Sequence, residues 1–185
     1  GRPFVEMMYP HIVENVRSAR KYSVADIYTY FNTVYPSLIR VDADEVTYNF
    51  HIVLRYEIEK LLLEDKIQVK DLPEIWDNFM EKYLGVKPEN VSEGVLQDIH
   101  WANGSFGYFP TYTLGNVISA MIKYKIPEFS DYLGKNNIRG IKEILREKIH
   151  RYGSIYAPKD LLKKSFGETY NPEYLIKYLE EKYLK

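Results

Sequence analysis

The stretch Asp44-Glu-Val-Thr-Tyr-Asn-Phe-His-Ile-Val-Leu-Arg-Tyr-Glu-Ile-Glu-Lys-Leu-Leu-Leu-Glu-Asp65 decides the fold class. Val46, Phe50, Val53, Ile58, Leu61 and Leu62 recur at helical spacing, which predicts an amphipathic helix with these residues as its apolar stripe. Asp42 or Asp44 stands where a helix N-terminus accepts an acidic cap. Asp44, Tyr48, His51 and Arg55 form a second, polar stripe, because residues three and four apart share a face. That polar face meets either water or a cleft.

Outward from this helix the same period continues. Phe4, Met7, Met8, Ile12 and Val13 predict a helix with a kink at Pro10. Ser23 caps a segment from Val24 towards Tyr35, stopped by Pro36. Leu72-Pro73 opens a helix that runs to Tyr83 and ends near Gly85. Val91 to His100 is expected to be a helix capped by Ser92, and Tyr112 to about Tyr124 another, closed by Pro127. Ile138–Tyr152, Pro158–Phe166 and Pro172–Tyr183 complete an all-α reading of residues 1–185 as one helical region.

Composition narrows the functions. The 185 residues carry 25 Lys+Arg against 26 Asp+Glu, a net charge of −1, with no surplus that would call for nucleic acid or an acidic membrane. With no cysteine, disulfide scaffolds, thiolate zinc sites and cysteine nucleophiles are excluded. Apolar runs such as Ile58 to Leu63 are short and broken by charge. No signal peptide is recognisable, and the expected setting is the cytoplasm. Frequent Lys, Glu, Ile and Tyr point to a thermophilic source. The opening Gly1-Arg2-Pro3 enters patterned sequence at once, which leads to the expectation of a portion of a longer chain.

Three constellations carry chemistry. A zincin helix needs His-Glu-x-x-His, yet the four histidines His11, His51, His100 and His150 are followed by Ile12, Ile52, Trp101 and Arg151. A metal site would need distant histidines such as His51 and His100 to converge with carboxylates. Arg40-Val-Asp-Ala-Asp44 offers a guanidinium fork suited to a carboxylate, or else a surface arginine paired with its neighbouring aspartates. The third is Gly94-Val-Leu-Gln-Asp-Ile-His-Trp101, running into Gly104-Ser-Phe-Gly-Tyr108. Here Asp98 can orient His100, glycines admit a close backbone approach, and Tyr108 can donate to a developing oxyanion. The alternative is a satisfied histidine in an aromatic packing corner. No phosphate-binding glycine loop and no serine elbow is present.

Ile39-Arg40-Val41-Asp42-Ala43-Asp44 resembles the Ile-Arg-x-x-Ala-Asp motif of the thermostable carboxypeptidase Taq family of zinc metallocarboxypeptidases. Gly94 to Trp101 is similar to its Gly-x-x-Gln-Asp-x-His-Trp motif, and the likeness continues to Gly153-Ser-Ile-Tyr-Ala-Pro and the final helix. The resemblance implies the C-terminal, substrate-cleft part of a helical enzyme that removes C-terminal residues from peptides with zinc or cobalt. The family's His-Glu-x-x-His helix has no counterpart in this sequence, so the chain alone is expected to be inactive and to hold no metal. The likeness also implies that Arg40 holds the substrate's terminal carboxylate, with Tyr112 as a further substrate-side tyrosine. It makes His100 and Tyr108 the catalytic candidates, Asp44, Gln97 and Asp98 their support, and Trp101 packing. Homodimerisation of the intact enzyme and dependence on the missing N-terminal portion follow from the same resemblance. An independent helical module that binds peptide C-termini without cleaving them is the alternative. If the cleft-facing helices pack on absent sequence, an apolar patch is expected to be exposed.

Overall fold

The computed structural model describes residues 1–184, which are helical without a strand among them. The helices are α1 (Arg2–Asn15), α2 (Val24–Phe31), α3 (Thr47–Leu63), α4 (Leu72–Leu84), α5 (Pro110–Lys125), α6 (Phe129–Gly134), α7 (Ile138–Lys148), α8 (Pro158–Phe166) and α9 (Glu173–Tyr183). No helix among the described residues is long and apolar enough to cross a membrane.

The chain gathers into two compact units. One comprises Gly1–Phe31 together with the chain from Asn116 onward; the other is Asn32–Gly115. In the first, α1 packs on α2 and α6, and Met121, Ile126, Leu162 and Phe166 form a buried cluster. Ser23 Oγ accepts from the Asp26 amide while the Asp26 carboxylate accepts from the Ser23 amide, a reciprocal cap that starts α2. α2 stops at Phe31, short of the expected Tyr35. The short α6 had no sequence signal, and α7 gives way after Lys148 to a 3₁₀ turn at His150–Tyr152.

The second unit is built on the pair α3 and α4, whose Leu54, Ile58, Leu72, Trp76, Met80 and Leu84 make one core. Pro73 in the first turn and Gly85 at φ +68° bound α4 as the sequence predicts. Asp44 starts α3: its Oδ1 accepts from the Val46 and Thr47 amides at 2.9 and 3.0 Å, and its Oδ2 from the Thr47 hydroxyl at 2.7 Å. Burial raises the Asp44 pKa, but these bonds outweigh it and hold the carboxyl below its ordinary range.

Two expectations are corrected here. Val91–His100 is not a helix: Asn90 Oδ1 accepts from the Ser92 and Glu93 amides, and only a 3₁₀ turn at Val95–Gln97 follows. Asp98 then lies in extended conformation and turns its side chain inward. The faces of α3 also differ from the expected ones in part: Ile58 and Leu62 of the expected apolar stripe do reach the core, but its first half does not. Phe50 and Val53 are 43% and 40% exposed, and Tyr56 and Leu63 join them outside. His51 and Arg55, from the expected polar stripe, are buried with Leu54 and Ile58.

This partial inversion has a measurable consequence. In urea denaturation, Leu54→Ala is expected to cost about 2–5 kcal/mol, the range for emptying a closed core position. Val53→Ala, on the outer face, is expected to change stability by less than about 1 kcal/mol.

Candidate functional site

The site lies within the Asn32–Gly115 unit and is assembled from three segments. The 3₁₀ turn Arg40–Asp42 presents Arg40, the inner face of α3 presents Tyr48, His51, Arg55 and Glu59, and the segment from Gln97 to Tyr112 supplies the rest.

Two guanidinium groups meet on one carboxylate. Arg40 donates from Nη2 to Asp98 Oδ1 at 2.6 Å and from Nε at 3.2 Å, while Arg55 Nε reaches Asp98 Oδ2 at 2.7 Å. Arg40 Nη1 donates to the Tyr48 hydroxyl at 3.1 Å. Arg40 is therefore buried and paired across the fold, not with the adjacent aspartates. Gln97 completes the junction. Its Oε1 accepts from the Arg40 amide at 2.9 Å and from Arg55 Nη2 at 2.8 Å, and its Nε2 donates to the carbonyls of Leu38 and Glu93. All four bonding positions of the carboxamide are filled, which fixes its orientation.

The protonation states follow from this packing. Burial raises the Asp98 pKa, but hydrogen bonds from Arg40 and the charge of Arg55 more than reverse it and keep the carboxylate ionised. Burial lowers the Arg55 pKa to about 10, with Asp98 opposing, so the guanidinium stays charged at neutral pH. His51 is driven down to about 4, first by burial and next by the charge of Arg55. Its ring is thus neutral, and Nδ1, 3.5 Å from Arg55 Nη1, is the acceptor, which puts the proton on Nε2.

His100 faces the other side of the junction. Its Nε2 lies 3.0 Å from the Tyr112 hydroxyl. Its buried Nδ1 has no hydrogen-bond partner and lies 3.7 Å from Asp98 Oδ1. The aspartate is thus committed to the two arginines, and its influence on His100 is electrostatic. A proton on Nδ1, facing that negative charge, leaves Nε2 to accept from Tyr112. Burial, partly offset by the charge of Arg40, raises the Tyr112 pKa, so its hydroxyl keeps its proton at neutral pH. Tyr108 is 49% exposed and packs its ring 5.5 Å from His100 and 5.4 Å from Tyr112. Phe109 lies beneath, 4.4 Å from the His100 ring and edge-on to Trp101, which in turn meets Trp76 edge-on.

Two further residues belong to the site. In the sequence Arg55 stands only as the last member of the polar stripe, and Glu59 continues it one turn on. Glu59 Oε1 accepts from the Gly107 amide at 2.6 Å and ties the Trp101–Tyr108 loop to α3. Gly107 lies at φ +77°, where a side chain would be strained, so its backbone freedom serves this internal tie. The signal was His51, Arg55 and Glu59 spaced by four along one helix.

Among the described residues no group of three or more His, Asp and Glu side chains converges on a metal position. The donor chemistry agrees: Asp98 is saturated by two cations, and His51 lies against one of them. These residues do not fit a metal ion, and the reading of His51 and His100 as ligands of their own metal site is not supported.

Two measurements test the electrostatics. An unfolded histidine binds a proton near pH 6.5, whereas folded His51 does so only near 4. Stability is therefore expected to fall by about 3 kcal/mol as pH drops from 6.5 to 4, a slope that His51→Gln should lack in pH-dependent urea titrations. Asp98→Asn leaves two buried guanidiniums without a counter-charge and is expected to cost about 3–5 kcal/mol by the same assay.

Residues 1–183 match the family described as Carboxypeptidase Taq (M32) metallopeptidase. Thermostable carboxypeptidase 1 of Pyrococcus furiosus is 51% identical over 188 residues, covering 100% of this chain and 38% of that protein. Thermostable carboxypeptidase 1 of Thermus thermophilus is 39% identical over 184 residues, covering 97% of this chain and 36% of its own length. The solved structure of the Pyrococcus furiosus carboxypeptidase in its apo-Mg form superposes with a TM-score of 0.93 at 51% identity, covering 99% of this chain and 38% of that one. Metallocarboxypeptidase 1 of Trypanosoma cruzi gives 0.91 at 36% identity, covering 100% and 40%. The chain thus spans about 38% of the length of the Pyrococcus relative, and the motif resemblance extends to the fold. By sequence and by structure, the chain belongs to the carboxypeptidase Taq family of metallopeptidases.

Proposed function

We propose that this chain forms the substrate-facing part of a metal-dependent carboxypeptidase that hydrolyses the last peptide bond of peptides. One observation supports this reading above others: Arg40 and Arg55 share a single carboxylate, so the hydrogen-bonded junction keeps one net positive charge beside the half-exposed His100–Tyr108–Tyr112 cluster. Such a junction attracts a carboxylate, and every peptide carries one at its C-terminus.

In this reading Arg40 carries the attraction. Of its five N–H donors, three are engaged by Asp98 and Tyr48, which leaves one on Nη1 and one on Nη2 for the substrate. Tyr112 borders the same position. Tyr108, with its more accessible phenol, donates to the oxygen that gains charge as the peptide carbonyl becomes tetrahedral. His100, with Nε2 facing the Tyr112 hydroxyl, orients that phenol towards the substrate. The metal, zinc or cobalt, supplies Lewis acidity and an activated water when bound. Its ligands and the general base come from sequence outside these 185 residues. Pairing into a homodimer belongs to the same reading of the intact enzyme.

The alternative, a module that captures peptide C-termini without cleaving them, differs in one observable. Release of the C-terminal amino acid from an N-blocked dipeptide is measured with zinc or cobalt added. The chain alone is expected to show no turnover, and addition of the remaining portion of the Pyrococcus furiosus relative is expected to restore it. Failure of that complementation alongside retained peptide binding favours the module. Metal-dependent turnover by the chain alone overturns the proposal.

A further inference from the structure

Arg55 has no exposed surface, and its guanidinium is held from every side. Nε bonds Asp98, Nη2 bonds Gln97, and Nη1 donates to the His51 carbonyl at 2.9 Å. Its flat face lies 4.5 Å from the Trp76 ring and 5.4 Å from that of Phe109. Burying a cation this completely is unfavourable unless its charge is matched. One arginine and one aspartate would have matched. Instead Asp98 serves two guanidiniums, and His51, beside Arg55 on α3, is neutral, while Tyr48 of the same helix accepts from Arg40. Glu59, one turn further along, makes no ion pair with either arginine among the described residues and turns to the Gly107 amide.

Arg55 reaches Arg40 by two separate routes. Through the carboxylate, it takes Asp98 Oδ2 and leaves Oδ1 as the closest contact of Arg40. Through the carboxamide, Gln97 Oε1 accepts from Arg55 Nη2 and from the Arg40 backbone amide together. One route sets the charge that Arg40 has left to offer, and the other sets where its backbone stands.

We infer that Arg55 is a positioning residue that keeps the Arg40 charge available to the substrate's terminal carboxylate, acting through Asp98 and Gln97 without touching substrate. The inference rests on the carboxylate-binding reading above. It separates two jobs that a single arginine–aspartate pair would merge: Arg40 meets the ligand, and Arg55 prevents Asp98 from cancelling it. A purely structural Arg55 would support the fold and leave ligand charge preference alone.

The test compares an N-blocked dipeptide as free acid with the same dipeptide as C-terminal amide, binding each to the 185-residue chain by isothermal titration calorimetry. Wild type is expected to prefer the acid. Arg55→Met is expected to lose roughly tenfold in acid affinity, with amide affinity changed less than about twofold, because only the acid senses the missing charge. Arg55→Lys retains the charge without the fork and is expected to recover part of the preference. Should Arg55→Met fail to fold by circular dichroism, Gln97→Glu asks the same question, since it cancels the surplus charge while Arg55 remains. Equal weakening of acid and amide in Arg55→Met, or a preference that persists in Gln97→Glu, overturns the role of Arg55 and leaves the carboxylate reading intact. Absence of any acid preference in wild type overturns both.

Discussion

Asp98 is the point on which the rest of the site depends. Its two oxygens are divided between Arg40 and Arg55, at 2.6 and 2.7 Å, and those arginines come from segments more than forty residues away. A carboxylate so placed must be reached by an extended backbone at Asp98, which a regular helix from Val91 to His100 cannot provide. The requirement to aim Asp98 and Gln97 inward thus explains why a glycine-bearing, Asx-turned segment occupies that part of the chain. His100 and Trp101 inherit their positions from it.

The same interaction accounts for the partly inverted faces of α3. Polar side chains enter a protein interior only when their bonding capacity is met. Arg55 and Glu59 have partners there, in the His51 carbonyl, in Asp98 and Gln97, and in the Gly107 amide, while His51 sets its Nδ1 against Arg55 and keeps a buried Nε2 without a partner. With that side of the helix occupied, Phe50, Val53 and Tyr56 remain outside.

What the sequence made legible depends on how local the cause is. Pro73, Gly85, Pro158 and Gly167 mark the ends of α4 and α8 because their backbone restrictions act within one turn. Asp44 is recognisable as a cap for the same reason, since its partners are Val46 and Thr47. The buried face of α3 is different. Periodicity shows that a helix has two faces, and the apolar one is assigned inward by default; only the partners at Gln97 and Asp98, forty residues on, reverse it. The importance of Arg55 is hidden likewise: Glu57 lies off its face of the helix, and Glu59, one turn on, bonds the Gly107 amide instead. The paired motifs around Arg40 and Gln97–Trp101 are legible differently, through family resemblance, because each is a continuous run of residues.

The chemistry open to this junction follows from charge. A metal ion needs anionic or neutral donors that are free to turn towards it. Around Asp98 the two closest side chains are cations, and the neutral His51 lies against one of them, so a divalent ion would be repelled from the very ligands it needs. What repels a cation attracts a carboxylate. The surplus of guanidinium over carboxylate that disqualifies this junction as a metal centre is the same property on which the proposed binding of an anionic chain end rests. One arrangement of three charged side chains therefore sets the sign of the charge this junction presents.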